Sequence, residues 1–151
     1  MQSFTGTYYY TIDQKGRVII PVPLRELLLS KYNNTKIFIT NAPFDKCLHV
    51  FPLAEWSVLE EKLKDKPKTD KSIQFFIRRV FASAVECDID KQGRLMIPYE
   101  LRQNASLTGD VAIVGAFDRL EIWDRARWED TINPDNIDTD AYNRSLVEHG
   151  F

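Results

Sequence analysis

Apolar residues run in short blocks separated by polar stretches carrying Gly, Pro or Asp, an order that predicts strands alternating with short helices. Residues 7–12 (TYYYTI) are β-branched and aromatic, which suits a strand. Residues 13–16 (DQKG) supply an Asp that can bond its own backbone and a Gly free to take positive φ, and residues 17–20 (RVII) resume the strand. The unit therefore opens as a predicted β-hairpin. Pro21 and Pro23 end it because neither has an N–H to donate, and Pro23 suits the first turn of a helix on which Leu24, Leu27 and Leu28 share a face. Residues 37–40 and 48–51 read as two more strands around a loop holding Pro43 and Asp45, and residues 52–64 as an amphipathic helix.

The same order then returns. Strands are expected at 85–89, 94–97, 111–115 and 120–123, a turn at 90–93, a helix at 99–104, and a last helix carrying Trp128 with Asp124 as its N-cap. Residues 11–25 (TIDQKGRVIIPVPLR) align without a gap on 88–102 (DIDKQGRLMIPYELR), and LHVFPLAEW from Leu48 aligns on LEIWDRARW from Leu120. Asp13, Gly16, Arg17, Ile20, Pro21, Leu24 and Arg25 recur as Asp90, Gly93, Arg94, Ile97, Pro98, Leu101 and Arg102. Such a repeat marks a duplicated supersecondary module. A unit of about 50 residues buries too little surface to be stable alone, so the copies are expected to fold against each other.

The expected organisation is a first repeat with appended helix at 1–60, a Lys-rich linker and helix at 61–83, a second repeat at 84–132, and a polar, acidic extension at 133–151 that reads as frayed. The fold class is mainly β with flanking helices (α+β). Eight short strands in two equivalent sets are expected to close into one β-barrel about a pseudo-twofold axis, which removes exposed edges.

Charge changes this picture once it is divided along the chain. The total is 20 basic and 22 acidic residues. Residues 129–151 hold six acids against Arg144, which leaves 19 basic and 16 acidic groups, a net of +3, in the rest. The body can thus present a basic face that the overall charge conceals. With 44% hydrophobic and 12% aromatic residues the chain is not disordered, and no apolar run reaches the length of a membrane span. A cytoplasmic protein is expected.

Cys47 and Cys87 lack C-x-x-C spacing and lie in apolar segments, where a reduced, buried thiol acts as a small hydrophobe. With His49 in a strand and His149 in the tail, no zinc site is expected. No catalytic set, P-loop or dinucleotide fingerprint occurs, and Glu60 and Glu61 lie on a Lys-flanked helix that reads as solvated. Neither enzyme activity nor a cofactor is expected. Trp56, Trp123 and Trp128 read as core or interface anchors, and Lys62, Lys64, Lys66, Lys68 and Lys71 as a solvated linker. Arg78 and Arg79 suit either phosphate contact or an interface salt bridge.

The turns are the strongest candidate for function. Each puts an Arg just after a tight Asp-x-x-Gly bend, with Lys15 added in the first copy and Lys91 in the second. A guanidinium fork suits phosphate oxygens and guanine edges, and a narrow tip fits a groove about 12 Å wide. Two such tips related by a twofold match a duplex. The alternative is that Asp13 and Arg17 pair across their own turn and merely hold it closed.

Over residues 4–130 the chain resembles the MraZ family of bacterial transcription regulators, which have the swapped-hairpin AbrB-type fold. The likeness is carried by Phe4-x-Gly6-x-Tyr8, DQKGRVIIP, CLHVFPLAEW, FFIRRVFASAVECDIDKQGRLMIP and VAIVGAFDRLEIWDRARW. Both turns fit the family's D-x-x-x-R signature, at Asp13 to Arg17 and Asp90 to Arg94. Gln2 and Ser3 before Phe4, Thr5 in place of a basic residue, and Gln92 where the first copy has Lys15 depart from the pattern. The resemblance implies a nucleoid-associated regulator that binds double-stranded DNA at direct repeats in the promoter of its own cell-division and cell-wall operon. It implies a ring-shaped homo-oligomer, and DNA-reading loops built from Asp13, Lys15, Gly16 and Arg17, with Asp90, Gly93 and Arg94 as the second set. An alternative is a protein-interaction module like the antitoxins of AbrB type, for which the acidic extension is the motive.

Overall fold

The computed structural model describes residues 2–151; Met1, which opens the first repeat, lies outside them. The first copy consists of β1 (Thr7–Thr11), β2 (Arg17–Ile19), α1 (Val22–Tyr32), β3 (Lys36–Asn41), β4 (Leu48–Pro52) and α2 (Leu53–Lys64). A linking helix α3 (Lys71–Phe76) runs into a wider π-helical turn at Ile77–Phe81, where a single continuous helix was expected. The second copy follows as β5 (Val85–Asp88), β6 (Arg94–Met96), α4 (Tyr99–Asn104), β7 (Asp110–Gly115), β8 (Leu120–Asp124) and α5 (Arg125–Thr131), and α6 (Thr139–Glu148) ends the chain. The fold is mixed α+β.

Strand pairing departs from the sequence expectation. β1 and β2 do not form a hairpin. Among the described residues the main sheet is antiparallel with order β1-β7-β8-β4-β3-β5, and β2 and β6 form a separate two-stranded ribbon. The first strand of each copy thus lies beside the third strand of the other, with Tyr8 opposite Ile113 and Val85 opposite Ile39. The second strands pair with each other, Val18 facing Leu95. Among the described residues only β3–β4 and β7–β8 are hairpins within a copy, and β4 joins β8 at the centre of the sheet.

Alternation along the strands explains the layers. One face of the sheet presents Ile37, Ile39, Leu48, Val50, Val111, Ile113, Leu120 and Ile122, all buried. Against it pack Val18, Ile20 and Leu24 of the first copy and their counterparts Leu95, Ile97 and Leu101 of the second. Repeated apolar positions therefore fill one common core rather than two. The opposite face carries smaller clusters. Trp56 of α2 stacks on Phe38 at 4.7 Å and meets the tilted ring of Phe81 at 4.6 Å, while Trp123 and Trp128 meet at 5.7 Å.

The wide turn at Ile77–Phe81 is anchored by polar contacts. The buried Thr40 hydroxyl donates to the Val80 carbonyl at 2.5 Å and meets Ser83 Oγ at 2.8 Å. Arg79 donates to the carbonyls of Ala42 and Asp45, so it braces the β3–β4 loop. The extension is not frayed: Asp138 caps α6 by accepting from the Ala141 amide, and Asn133 caps the short turn at Pro134–Asn136. The polar residues that suggested disorder serve as N-caps. No helix among the described residues is long and apolar enough to cross a membrane.

Candidate nucleic-acid interface

The two turns are built alike. Asp13 Oδ1 accepts from the amides of Lys15 and Arg17 at 2.9 and 2.8 Å, and Asp90 Oδ1 accepts from those of Gln92 and Arg94, both at 2.9 Å. Backbone bonds close each bend, from the Gly16 amide to the Asp13 carbonyl and from the Gly93 amide to the Asp90 carbonyl. Gly16 and Gly93 have φ of +82° and +79°, a region that side-chain-bearing residues seldom enter. The second carboxylate oxygen of each Asp accepts from the Arg Nε, at 2.7 Å for Arg17 and 3.0 Å for Arg94.

The pairing raised as the alternative is therefore present, yet it engages only one edge of the guanidinium. The terminal nitrogens of Arg17 and Arg94 have no hydrogen-bond partner among the described residues. The side chains keep 29% and 32% of their surface accessible, so neither guanidinium is sequestered. Lys15, Lys91 and Gln92 are exposed beside them. The hydrogen bond from the Arg17 amide, with its guanidinium contributing, outweighs slight desolvation and holds the Asp13 carboxyl below its ordinary 3.8. Arg94 acts on Asp90 in the same way.

The turns also lock onto each other. The Ile20 amide donates to the Gly93 carbonyl at 2.8 Å and the Ile97 amide to the Gly16 carbonyl at 2.9 Å. Arg25 Nε donates to the Ile20 carbonyl and Arg102 Nε to the Ile97 carbonyl. Their guanidinium groups lie where a Cβ on the opposite glycine would sit, Arg102 over Gly16 and Arg25 over Gly93. Arg25 and Arg102 were visible in the sequence as a repeated pair, but nothing local marked them as props for the other copy's turn.

A protein-family model described as "MraZ protein, putative antitoxin-like" matches residues 3–78 and 80–145. The chain belongs to the MraZ family. Two relatives named "Transcriptional regulator MraZ" match nearly end to end. That of Pediococcus pentosaceus is 42% identical over 98% of this chain and 99% of its own, and that of Acetivibrio thermocellus 44% identical over the same shares. A third, from Desulfitobacterium hafniense, is 46% identical over 84% of this chain and 85% of its own.

Other candidates take different places. Lys64 pairs with Glu61, and Lys68 donates to the Lys66 carbonyl, so part of the Lys set closes the end of α2. Cys47 is buried, whereas Cys87 is only partly so. No zinc site was expected from the spacing of Cys and His along the chain, yet Cys47, His49 and Glu121 come together on the sheet. Ligand spacing within one segment could not reveal this, because Glu121 arrives from another strand. Burial would raise the Glu121 carboxyl, but hydrogen bonds from His49 and Trp123, together with the charges of His49 and Arg119, bring it down to about 2.

Proposed function

We propose that the chain is a non-enzymatic, DNA-binding transcriptional regulator that reads direct repeats in the promoter of its own cell-division and cell-wall operon through the Asp13–Arg17 and Asp90–Arg94 turns. The observation that carries the reading is the divided guanidinium. In each turn the Asp fixes Nε and leaves the terminal nitrogens unengaged on an accessible tip. An oriented fork of this kind matches a phosphate or a guanine edge at little entropic cost. Lys15 and Lys91 add charge, and the family's named transcriptional regulators support the same conclusion.

We read the exchange of strands between copies as the swapped-hairpin arrangement, with ribbon and sheet closing as one barrel about a pseudo-twofold axis. Repeats at 1–60 and 84–132, bridged by 61–83 and followed by 133–151, are its units. One chain offers few phosphate contacts, so affinity at physiological salt would be weak. A ring-shaped homo-oligomer in the cytoplasm, at the nucleoid, would present several tips to tandem repeats and gain from effective concentration.

The test is footprinting of purified protein on DNA upstream of its own gene across a range of salt. Evenly spaced protection with a steep salt slope is expected, and Arg17→Ala should abolish it while circular dichroism and elution volume stay unchanged. Undiminished DNA affinity in Arg17→Ala would defeat the assignment. A second reading, a protein-binding module of antitoxin type, draws on the family description and on the exposed helix α6 with its accessible Tyr142 and Val147. It predicts that removing residues 134–151 abolishes capture of a specific protein while DNA binding is untouched.

A further inference from the structure

One face of the sheet gathers side chains of a quite different chemistry. Cys47 immediately precedes β4 and His49 lies two positions on, so both project to the same side. Glu121 stands directly opposite His49 in the β4–β8 ladder. Their ligating atoms all lie within 4.8 Å of one another, with His49 Nε2 3.1 Å from Glu121 Oε2. Cys47 and His49 are buried, and the Glu121 side chain is nearly so. We propose that Cys47, His49 and Glu121 form a binding site for a divalent transition-metal ion of the zinc type.

The donor set selects the class of ion. Thiolate, imidazole and carboxylate together suit zinc or cobalt, whereas calcium and magnesium take oxygen ligands. Metal–ligand bonds of about 2.0–2.3 Å place the donors of a tetrahedral ion roughly 3.3–3.7 Å apart. His49 and Glu121 already stand about that close, and a modest side-chain adjustment brings in Cys47.

The surroundings support the carboxylate. Trp123 Nε1 donates to Glu121 Oε1 at 3.0 Å, which fixes the carboxylate plane and leaves Oε2 to be shared by His49 and Arg119. Arg119 donates to Oε2 at 2.9 Å and offsets part of the negative charge that a thiolate and a carboxylate bring together. A cavity of about 300 Å³ reaches the cluster at His49, although Cys47 and Glu121 do not line it, and gives water a way to the imidazole as fourth ligand. On binding, Cys47 loses its proton to solvent, the hydrogen that His49 Nε2 donates to Glu121 leaves that nitrogen so that the neutral ring carries its hydrogen on Nδ1, and the His49–Glu121 contact is exchanged for two bonds to the ion. The rival arrangement is a closed polar network in which His49, Arg119 and Trp123 satisfy Glu121 and Cys47 merely fills space. It predicts no metal binding.

The experiment uses the full chain without an affinity tag, stripped by chelator and titrated with Co(II). One equivalent per chain is expected, with a thiolate-to-cobalt charge-transfer absorption that Zn(II) displaces. The sequence has two cysteines, so persistence of that absorption in Cys87→Ser assigns it to Cys47 without disturbing the site. Cys47→Ala should abolish it. His49→Gln, which keeps a polar side chain should Cys47→Ala fail to fold, should weaken cobalt binding about tenfold or more, and His149→Ala should change nothing. Absence of saturable binding in the wild type, loss of the absorption in Cys87→Ser, or its survival in Cys47→Ala would overturn the proposal.

Discussion

The two turns have the same skeleton and different surfaces. Asp13, Gly16 and Arg17 superimpose in role on Asp90, Gly93 and Arg94 down to individual hydrogen bonds. Between the Asp and the Gly, however, one tip reads Gln-Lys and the other Lys-Gln. The three repeated residues set conformation: carboxylate to backbone, glycine at positive φ, guanidinium held by its Nε. The two intervening positions only distribute charge, on side chains that make no turn contact. Geometry and charge are thus assigned to separate residues and can be altered independently.

The comparison breaks most severely at the glycines. Gly16→Ala and Gly93→Ala should each cost at least about 1–2 kcal/mol, because a Cβ in the left-handed region is strained. Each would also displace the opposing Arg102 or Arg25 guanidinium from its carbonyl. Chemical denaturation should give nearly equal losses; a large inequality would mean that the turns are not equivalent supports. A smaller effect sharpens the difference in charge. Lys15→Gln should lower the slope of log affinity against log salt by about 1, and Gln92→Lys should raise it by a similar amount, if each Lys meets a phosphate. Equal slopes in both variants would place those lysines away from the duplex.

Smallest is the pH response of the turns. Both carboxyls titrate below 3.8 in the folded chain, so their contribution to stability is full above that ordinary value and is lost as pH falls through the lower folded values. Carboxyl chemical shifts of Asp13 and Asp90 should therefore give titration midpoints below 3.8 that lie close to each other. Divergent midpoints would show that one tip holds its Asp more tightly.

Much of this was legible in the chain. The repeat located both turns, all eight strands lie within a residue of expectation at each end, and the buried positions of one copy foretold those of the other. What stayed hidden was partnership. Asp13 to Gly16 has the same turn chemistry whether its flanking strands pair with each other or with strands of the second copy, so a hairpin was the natural reading and the wrong one. The same blindness hid Arg25 and Arg102, whose role lies across the copies, and Glu121, whose neighbours sit some 70 positions earlier in the chain. The capped α6 was missed for another reason: its Asp and Asn residues favour disorder by composition and helix starts by position.

The exchange of strands governs how the molecule can be made. Thr7 finds its place only beside Val114, and Arg17 only beside Met96. A nascent polypeptide leaving the ribosome must therefore carry its opening strands without partners through most of synthesis, and the late arrival of β6 and β7 closes long loops all at once. Release of the first half alone would yield a fragment with unsatisfied edges, ready to join any second half it meets.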